Sequence, residues 1–545
     1  MKPIIYQLLP RTFTNYNETR RHNGTLQENG SGTLNAITPR ALRAIRDLGA
    51  THVWYTGVIR HATAQYNTPA IVKGKAGSPY AITDYYDIAP DLCEDKRRRM
   101  QEFTELVERS HAANLKVIID FVPNHVAREY KSTCKPKGVE DLGANDNPQW
   151  AFSPLNNFYY IPEAFAPQFD AAGFSEYPAR ATGNDCFTAR PSQNDWYETV
   201  KLNYGVFYQG GGEQQFDPIP DTWHKMLHIL LFWAGKGIDG FRCDMAEMVP
   251  QAFWAWAIPQ VKEQHPGILF IAEVYNPDLY HCYIAAGFDY LYDKVGMYDY
   301  LRGVTSKNWA AEGITQQWQA VDDIRDHMLY FLENHDEQRI ASGFFCGRGM
   351  CAEPAMIVAA TLGTNPVMIY AGQELGEKGM DAEGFSGMDG RSTIFDYWGI
   401  KSIQAWANYG KFDGGQLSEE QHALRIFYRQ LLRLARTEKA ITDGQLYDLE
   451  YAQGEGFNKH EHYAYIRKYK QHTLLVVLNF DDHQTDIQVR IPQEAFDHLQ
   501  LSTQEQVQAV EMLTNTEMTL ALTPQTPITL SLGAWKGVIL KIKNA

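Results

Sequence analysis

Short apolar runs alternate with segments of helical apolar spacing through about the first 440 residues. In residues 95–121, apolar positions three and four apart lead to Asn114, a residue that often ends helices, and then to the apolar run VIIDF. In residues 221–244, Met226 and Leu230 share one helical face before the run GIDGFRCD. A strand and a helix that alternate in this way predict an α/β fold with a parallel sheet.

Eight apolar runs qualify as strands, and a helical segment can follow each of them. They are IIYQL, THVWY, KVIIDF, IDGFRCD, ILFIAEV, FDYLYD, HMLYFLEN and NPVMIY. Eight strands that alternate with helices predict a (β/α)8 TIM-type barrel. A stretch from about Val126 to Pro220, rich in Asn, Asp, Pro, Gly and aromatic residues, separates the third strand from its helix. Because it is far longer than an ordinary connection, we predict an inserted domain after strand 3.

The apolar period changes to two after about residue 440. The runs HYAYIRKY, TLLVVLNF, TDIQVRI and WKGVILKI predict a C-terminal antiparallel β domain. A chain of 545 residues is also long enough for several domains. We therefore divide it into a first part of the barrel (1–125), an inserted domain (126–204), a second part of the barrel (205–440) and a C-terminal β-sandwich domain (441–545).

Charge and composition narrow the classes of partner. The formal net charge of −15 opposes binding to a nucleic-acid backbone or an anionic membrane surface, since both need clustered Lys and Arg. Aromatic residues make up 13% of the chain, and aromatic-rich clefts suit flat apolar ligand faces such as those of sugar rings. We expect a neutral or cationic small-molecule substrate, with no nucleic acid and no membrane as partner, and we assign no oligomeric state.

The amino-terminal run MKPIIYQLLPRTF is too short for the apolar core of a signal peptide and lacks a small-residue cleavage site. No stretch approaches the roughly 20 apolar residues of a membrane span. The seven cysteines, an odd number in a long chain, favour a reducing compartment over a disulfide framework. These features together predict a cytoplasmic protein.

Four predicted strands end on polar clusters, at the barrel face that carries catalytic groups in this fold. The clusters contain Asp120, Asn124, His125, Arg242, Asp244, Glu273, Asn334, His335 and Asp336. One such acid can be a satisfied structural group, but several converging acids with an Arg and two His are costly to pack without a purpose. Two carboxylates about 5–5.5 Å apart serve a retaining glycosidase as nucleophile and acid/base. Asp336 would supply a third acid.

The segments IIDFVPNH, DGFRCD, FIAEV and FLENHD, in this order and at these strand ends, resemble the four signature segments of the α-amylase family of glycoside hydrolases. TVKLN at residues 199–203 and SPYAITDYYDI at residues 78–88 are similar to two further family segments. The resemblance extends over the whole chain. Single segments are weak signals, whereas the ordered set is specific.

The resemblance implies a role for each matching residue. Asp244 is expected to be the nucleophile, Glu273 the acid/base, and Asp336 the group that binds hydroxyls of the distorted sugar. It further implies that Arg242 keeps Asp244 ionised, that His125 and His335 hydrogen-bond the same sugar, that Tyr80 stacks under its ring, and that Asp120 is structural and orients loops near Asn124. The implied activity is hydrolysis of α-glucosidic bonds in malto-oligosaccharides and related α-glucans with net retention, by a neopullulanase-like, cyclomaltodextrinase-like or α-amylase-like member.

This chain departs from the family pattern after the nucleophile. Typical α-amylases carry a Lys-His pair there that contacts substrate beyond the cleaved bond, whereas this chain has Glu247 and Met248. The acceptor side of the site, and with it α-1,4 or α-1,6 preference, therefore stays open. The family His also commonly lends its carbonyl to a structural calcium. We expect no cofactor to be required for the chemistry, we treat structural calcium as an open alternative, and we assign no metal ligands.

Three alternatives stay open. A transglycosylase of the same family would share the covalent intermediate and differ only in whether water or a sugar hydroxyl attacks it. A non-catalytic glucan-binding or scaffold relative is expected to lack catalytic acids, yet Asp244, Glu273 and Asp336 are all present. A metal-dependent barrel hydrolase would need more strand-end histidines than His125 and His335.

Overall fold

The computed structural model describes residues 2–543, and its centre is a closed barrel of eight parallel strands. The strands are β1 (Ile4–Leu8), β2 (His52–Tyr55), β3 (Lys116–Phe121), β4 (Gly240–Cys243), β5 (Leu269–Ala272), β6 (Tyr290–Tyr292), β7 (Met328–Phe331) and β8 (Val367–Tyr370). Each strand pairs with the next along the chain, and Ile4 of β1 pairs with Val367 of β8 to close the ring. The predicted (β/α)8 barrel is confirmed.

Helices follow the barrel strands and pack around them, as the helical apolar spacing predicts. The α-helices are Pro10–Phe13, Leu26–Asn29, Pro39–Leu48, Arg99–Ala112, Asp221–Ala234, Gln251–Gln264, Tyr280–Ala285, Asp299–Thr305, Ile314–Gln319, Glu353–Thr361, Lys401–Ala407, Glu419–Thr437, Lys439–Thr442 and Gln493–Leu499. The helix before β3 ends at Ala112, and Asn114 then has a left-handed backbone (φ 58°), a conformation that Asn tolerates.

A layer of large side chains fills the barrel interior beneath the predicted site. Its buried members are Ile5, Trp54, Ile118, Ile271, Tyr292, Tyr298, Leu329, Phe331 and Met368. All except Tyr298 come from seven of the strands, because alternate residues of a strand face the same side; Tyr298 belongs to the short π-helix Lys294–Tyr298. The interior is therefore a packed floor rather than a channel.

The segment between β3 and the helix Asp221–Ala234 leaves the barrel and returns to its mouth. Within residues 126–220 the described strands are short antiparallel pairs: Tyr160–Ile161 with Ala179–Arg180, and Val206–Phe207 with Glu213–Gln214. A further pair, His125–Ala127 with Thr199–Lys201, joins this segment to the end of β3. The ladder places the predicted segment TVKLN beside His125.

The C-terminal part consists of antiparallel strands, as the period-two pattern predicts. A six-stranded sheet contains, in spatial order, Gln445–Asp448, His462–Tyr469, His472–Asn479, Lys536–Ile542, Gln504–Glu511 and Thr516–Leu522. Thr485–Val489 pairs with Ile528–Leu532 in a second sheet. Ile487 and Leu530 of the second sheet share one buried apolar cluster with Leu475 and Val477 of the first. Two sheets packed face to face are the arrangement of a β-sandwich.

Across residues 2–543, no helix combines the length and the apolar character that crossing a membrane requires.

Candidate active site

Arg242 and Asp244 occupy the mouth end of β4. Arg242 is completely buried, and its Nη1 donates to Oδ1 of Asp244 at 2.6 Å while its Nε donates to the Tyr292 hydroxyl at 3.2 Å. The guanidinium group also lies 5.3 Å from the ring centre of Trp54. The strand ends at Cys243, so Asp244 stands just beyond it, at the point where the chain turns across the barrel mouth.

Glu273 follows β5 and has one ion-pair partner and two hydrogen-bond donors. Its Oε1 lies 2.7 Å from Nη2 of Arg242 and accepts a 2.6 Å hydrogen bond from the Tyr275 hydroxyl. Its Oε2 accepts a 2.7 Å hydrogen bond from the main-chain N–H of Met245, a residue with a left-handed backbone (φ 43°). One guanidinium group thus holds both Glu273 and Asp244, which places the two carboxyl groups side by side on one cation.

Each of the loops after β4 and β5 donates hydrogen bonds to the other. Ala246 N–H donates to the main-chain oxygen of Glu273 at 3.1 Å. In return, Oε2 of Glu247 accepts hydrogen bonds from the main-chain N–H groups of Tyr275 at 3.1 Å and Asn276 at 3.0 Å. Glu247, one of the two departures from the family pattern, therefore anchors the turn that carries Tyr275 to Glu273.

Asp336 and His335 follow β7, which β6 separates from β5 in the ring. Oδ2 of Asp336 lies 3.0 Å from Nε2 of His335. Nδ1 of His335 accepts from the Gln7 side-chain amide at 2.8 Å, which places the ring proton on Nε2, towards Asp336 and the Tyr80 hydroxyl at 2.5 Å. The Tyr80 ring stacks on the His335 ring with centroids 5.2 Å apart.

His125 lies at the end of β3, where its ring meets Trp196 edge to face at 5.3 Å. Burial, together with the charges of Lys201 and Lys73, lowers the pKa of His125 to about 3, so the ring is neutral. Burial likewise lowers the pKa of His335 well below its ordinary value. Both histidines are therefore neutral groups that can donate one hydrogen bond and accept another.

Asp120 is a buried group with structural contacts, as the resemblance implies, but its partners are not those of Asn124. Its Oδ2 accepts from the main-chain N–H of Gly57 at 3.1 Å, and its Oδ1 lies 3.7 Å from Nη1 of Arg242. Asn124 instead donates to Gly183 O at 2.8 Å and accepts from Lys201. Asp120 thus belongs to the buried charge network under the site, and Lys201 is the residue that orients Asn124.

Burial changes the electrostatics that the sequence suggested. Burial raises the pKa of Asp244 well above its ordinary value; the Arg242 charge lowers this pKa, and the Glu273 charge raises it further. We expected the adjacent guanidinium to determine the ionisation of Asp244, but withdrawal from water has the larger effect. Withdrawal from water and the Glu273 charge also raise the pKa of Asp336 to about 7, although 42% of its side chain is still accessible from the mouth.

These side chains surround one pocket of about 220 Å³. Its lining comprises Lys73, Ser78, Tyr80, His125, Trp196, Glu198, Thr199, Asp244, Met245, Glu273, Tyr275, Asp336, Ile394 and Phe395. Arg242 and His335 lie directly behind it through the contacts described above. The structure thus brings all seven residues predicted for the site into one place, and their individual roles stay predictions.

The acids of the segment FLENHDEQ separate into three environments. Glu333 is buried and accepts from Nη1 of Arg339 at 2.7 Å. Asp336 lines the pocket, and Glu337 accepts from the Tyr298 hydroxyl at 3.0 Å. Glu333 therefore stabilises the fold of the loop, and Asp336 faces the pocket. Glu337 attaches the loop to Tyr298.

The residues at the barrel mouth do not fit a calcium ion. The buried ammonium group of Lys201 lies 2.6 Å from Oδ1 of Asp185 and donates to Oδ1 of Asn124 at 2.7 Å, so these oxygens already hold a cation of the chain itself. Among the described residues, two clusters could offer three ligand atoms each: Asp84 with Asp87 and Cys134, and Asp481 with Asp482 and His483. Asp87 in the first is already paired with Arg99, and Asp481 in the second with Lys307.

Several pocket residues carry no signal that the sequence analysis could use. Tyr275 lies two positions after Glu273, a spacing that in hindsight places it at the same mouth. Lys73, Glu198 and Phe395 lie in long connections without periodicity, and only the folded chain brings them together.

The comparisons with known proteins agree with this geometry. The family model for the α-amylase catalytic domain matches residues 7–399. The α-amylase MalA of Haloarcula japonica is 27% identical over 384 residues, which are 69% of this chain and 44% of that protein. An α-1,4-glucan:maltose-1-phosphate maltosyltransferase of Cereibacter sphaeroides is 26% identical over 283 residues, 50% of this chain and 32% of that protein.

The chain therefore spans less than half the length of either relative. Among solved structures, the maltogenic α-amylase AmyB of Thermotoga neapolitana superimposes with a TM-score of 0.65 at 17% identity, covering 99% of this chain and 98% of that one, which shows a shared fold. Because the family model matches most of the chain, from the first barrel strand to beyond the eighth, the protein belongs to the α-amylase family.

Proposed function

We propose that this protein is a retaining glycoside hydrolase that cleaves α-glucosidic bonds in malto-oligosaccharides and related α-glucans. The observation that supports it most is the shared guanidinium group: Arg242 contacts Asp244 and Glu273 at 2.6 and 2.7 Å in a pocket that Asp336 also lines. Paired carboxyl groups close together are what a double displacement needs. The family membership supplies the expectation that the substrate is a sugar.

In the first step, the Asp244 carboxylate attacks the anomeric carbon and the bond to the glycosidic oxygen breaks. Glu273 gives its proton to that oxygen, so the leaving sugar departs as a neutral alcohol. The guanidinium group of Arg242 stays charged throughout and stabilises the negative charge that passes between the two carboxyl groups. The product of this step is a glycosyl ester on Asp244.

In the second step, Glu273 takes a proton from water, which attacks the anomeric carbon and releases Asp244. Two inversions give net retention. The neutral rings of His125 and His335 and the partly exposed carboxyl of Asp336 would bind the hydroxyls of the reacting sugar. Tyr80 is held against His335 and would offer its ring as a stacking surface.

The state of the cysteines supports the proposal of a cytoplasmic location. All seven cysteines lie within residues 2–543, and each is unpaired there. Free thiols are the state that a reducing compartment maintains.

The proposed chemistry uses side chains alone and routes no step through a metal ion or cofactor.

The test is a time course with maltoheptaose, β-cyclodextrin and pullulan, with products resolved by chromatography and the anomer of the new reducing end followed by NMR. We expect shorter maltodextrins whose first anomer is α. Asp244→Asn should lose at least about 10⁴-fold in kcat, because the covalent intermediate needs an ionised nucleophile, while the melting temperature stays within a few degrees. A β product, or an active Asp244→Asn variant, would refute the assignment.

A transglycosylase is the second candidate, and the Cereibacter relative supports it, since its name describes a maltosyl transfer. Glu247 and Met248 replace the Lys-His pair on the acceptor side, so this chain has its own acceptor contacts. The same time course distinguishes the two: products longer than maltoheptaose would indicate that a sugar hydroxyl, rather than water, attacks the intermediate. Products of neither kind would favour a binding protein.

A further inference from the structure

A buried ion pair that has no part in the proposed chemistry lines the same pocket. Nζ of Lys73 lies 3.2 Å from Oε2 of Glu198, and the two side chains are 13% and 6% exposed. Lys73 belongs to the connection after β2, and Glu198 to the segment inserted after β3. Removing two charges from water costs more than their attraction usually returns, so such a pair is weak as a stabilising device.

The proposed reaction would place the pair on the non-reducing side of a bound sugar. Glu273 protonates the leaving oxygen, so it marks the reducing side, and the connections after β2 and β8 lie across the barrel from β5. Ala76 N–H donates to Phe395 O at 3.0 Å, which joins these two connections into one wall. The two connections approach each other closely at Gly74, because a Cβ atom added there would lie 2.2 Å from Phe395 O. The backbone of Gly74 is also left-handed (φ 67°).

The pocket beside this wall is small. The pocket holds about 220 Å³, less than the roughly 300–1,000 Å³ of pockets for drug-sized ligands. Lys73 is also near enough to His125 for its charge to act on that ring. A sugar that His125 binds therefore extends towards Lys73 and Glu198 within the same small space.

The chemistry of the pair fits a neutral polyol. An ammonium group offers up to three donors and a carboxylate only acceptors, and a sugar hydroxyl can accept from one while it donates to the other. Charge-assisted hydrogen bonds of this kind are stronger than neutral ones. The pair offers no net positive charge to a phosphorylated sugar, because the Glu198 carboxylate neutralises the Lys73 ammonium group.

We propose that Lys73 and Glu198 together bind the hydroxyl groups of the terminal, non-reducing sugar, so that the enzyme releases single glucose units from that end of a malto-oligosaccharide. This inference rests on the proposed hydrolase function and specifies its substrate end. The ion pair then determines specificity. The free-energy cost of removing its two charges from water is offset when a substrate binds.

The first experiment uses maltoheptaose labelled at its reducing end with 2-aminobenzamide. The expected early products are unlabelled glucose and the labelled six-unit chain. The companion substrate is a p-nitrophenyl maltoheptaoside whose terminal sugar carries a 4,6-ethylidene block, which should react at least 100-fold more slowly than the unblocked form. Early labelled fragments of two or three units, or equal rates on the blocked and unblocked chains, would overturn the inference and leave the hydrolase proposal standing. No cleavage of the unblocked chain would overturn both.

Variants test the pair itself. Lys73→Met and Glu198→Gln should each lower kcat/KM for maltotriose by roughly 10- to 100-fold, the effect of losing one hydrogen bond to a charged group, and should raise the relative rate on the blocked chain. Lys75→Met, two residues away and outside the pocket lining, is the matched control and should behave as the parent does. If Lys73→Met does not fold, the nearly isosteric Glu198→Gln carries the test. Unchanged kinetics in folded variants would overturn the assignment.

Discussion

The Tyr275 hydroxyl donates a 2.6 Å hydrogen bond to Oε1 of Glu273, the oxygen that also faces Nη2 of Arg242 at 2.7 Å. A side chain held by two polar partners has little freedom to turn away from its productive position. Tyr275 therefore acts as a positioning residue for Glu273, the proposed acid/base.

The variant Tyr275→Phe removes this donor and leaves the ring in place. We expect kcat/KM for maltotriose to fall by roughly 3- to 10-fold, since one hydrogen bond contributes about 1 kcal/mol and Glu273 is held less firmly without it. The measurement is kcat/KM at one fixed pH. Tyr290→Phe, at the opposite end of the barrel, is the control. An unchanged kcat/KM in Tyr275→Phe would show that the contact does not position Glu273.

Glu247 is expected to act as a positioning residue through the turn it anchors. One of its carboxylate oxygens accepts from the N–H groups of Tyr275 and Asn276. Glu247→Ala should lower kcat/KM about tenfold, because Tyr275 loses its fixed position, whereas Glu247→Gln keeps an acceptor oxygen and should lose less. The variants should also weaken the response to Tyr275→Phe in a double-mutant cycle. Additive effects of the two substitutions would contradict this coupling.

Activity should fall on the acidic side at an unusually high pH. The pKa of Asp244 is raised by burial, and that of Asp336 is raised to about 7. A raised pKa means that each carboxyl group gains its proton at a higher pH than an ordinary Asp, whose pKa is about 3.9. Because Asp244 would attack only as a carboxylate and Asp336 would bind the sugar as one, kcat/KM should decline as the pH drops through about 7, the pKa of Asp336. A stopped assay after brief exposure to each pH separates this loss from unfolding; an acidic midpoint near 4 would refute it.

The fold and the chemical centre could be predicted because each rests on a local pattern. The alternation of runs such as KVIIDF with amphipathic helices determines a barrel, and the barrel then brings every strand end to one mouth. Asp244 and Glu273 could be found in this way because each directly follows a strand, and Asp336 because it lies in the short polar segment after β7. The observed strands end slightly earlier than the apolar runs suggest, because the polar residues at their ends turn into the mouth.

The rest of the pocket depends on contacts between distant connections. Lys73 and Glu198 meet only when two long loops fold over the barrel, and neither loop has a period that records the contact. The direction of the Asp244 pKa shift could not be predicted from the sequence, for a related reason. The sequence places Arg242 beside it but says nothing about the depth of burial, which is the larger effect.

Arg339 is expected to be indispensable for the loop that carries Asp336. It is completely buried, its Nη1 donates to Glu333 at 2.7 Å, and its Nε donates to Oγ of Ser392 at 2.8 Å. Arg339→Met would leave the Glu333 carboxylate buried without its cation, and should lower the free energy of unfolding by about 3–5 kcal/mol. Urea unfolding at pH 7 measures this.

The matched control is Arg348→Met. Arg348 lies 3.5 Å from Glu420, and both side chains are more than half exposed. An exposed pair of this kind contributes little, so its loss should change the unfolding free energy by less than about 1 kcal/mol. Equal effects of the two substitutions would contradict the structural role of Arg339.

Glu450 should make the protein less stable as the pH rises. It is buried in the C-terminal part, and burial together with the Asp448 charge raises its pKa to about 8. Between about pH 4.3, its value in an unfolded chain, and about 8, the folded protein keeps a proton that the unfolded chain releases. The contribution of this group to stability is therefore complete at low pH and declines through that window.

Glu450→Gln removes the titration and keeps the shape of the side chain. The variant and the parent should unfold with similar free energies at pH 5, whereas at pH 9 the variant should be more stable by on the order of 2 kcal/mol, because the parent must bury a charge there. Guanidinium unfolding at pH 5, 7 and 9 measures the difference, with the exposed Glu455→Gln as control. A difference that is the same at all three pH values would show that Glu450 stays ionised in the folded protein.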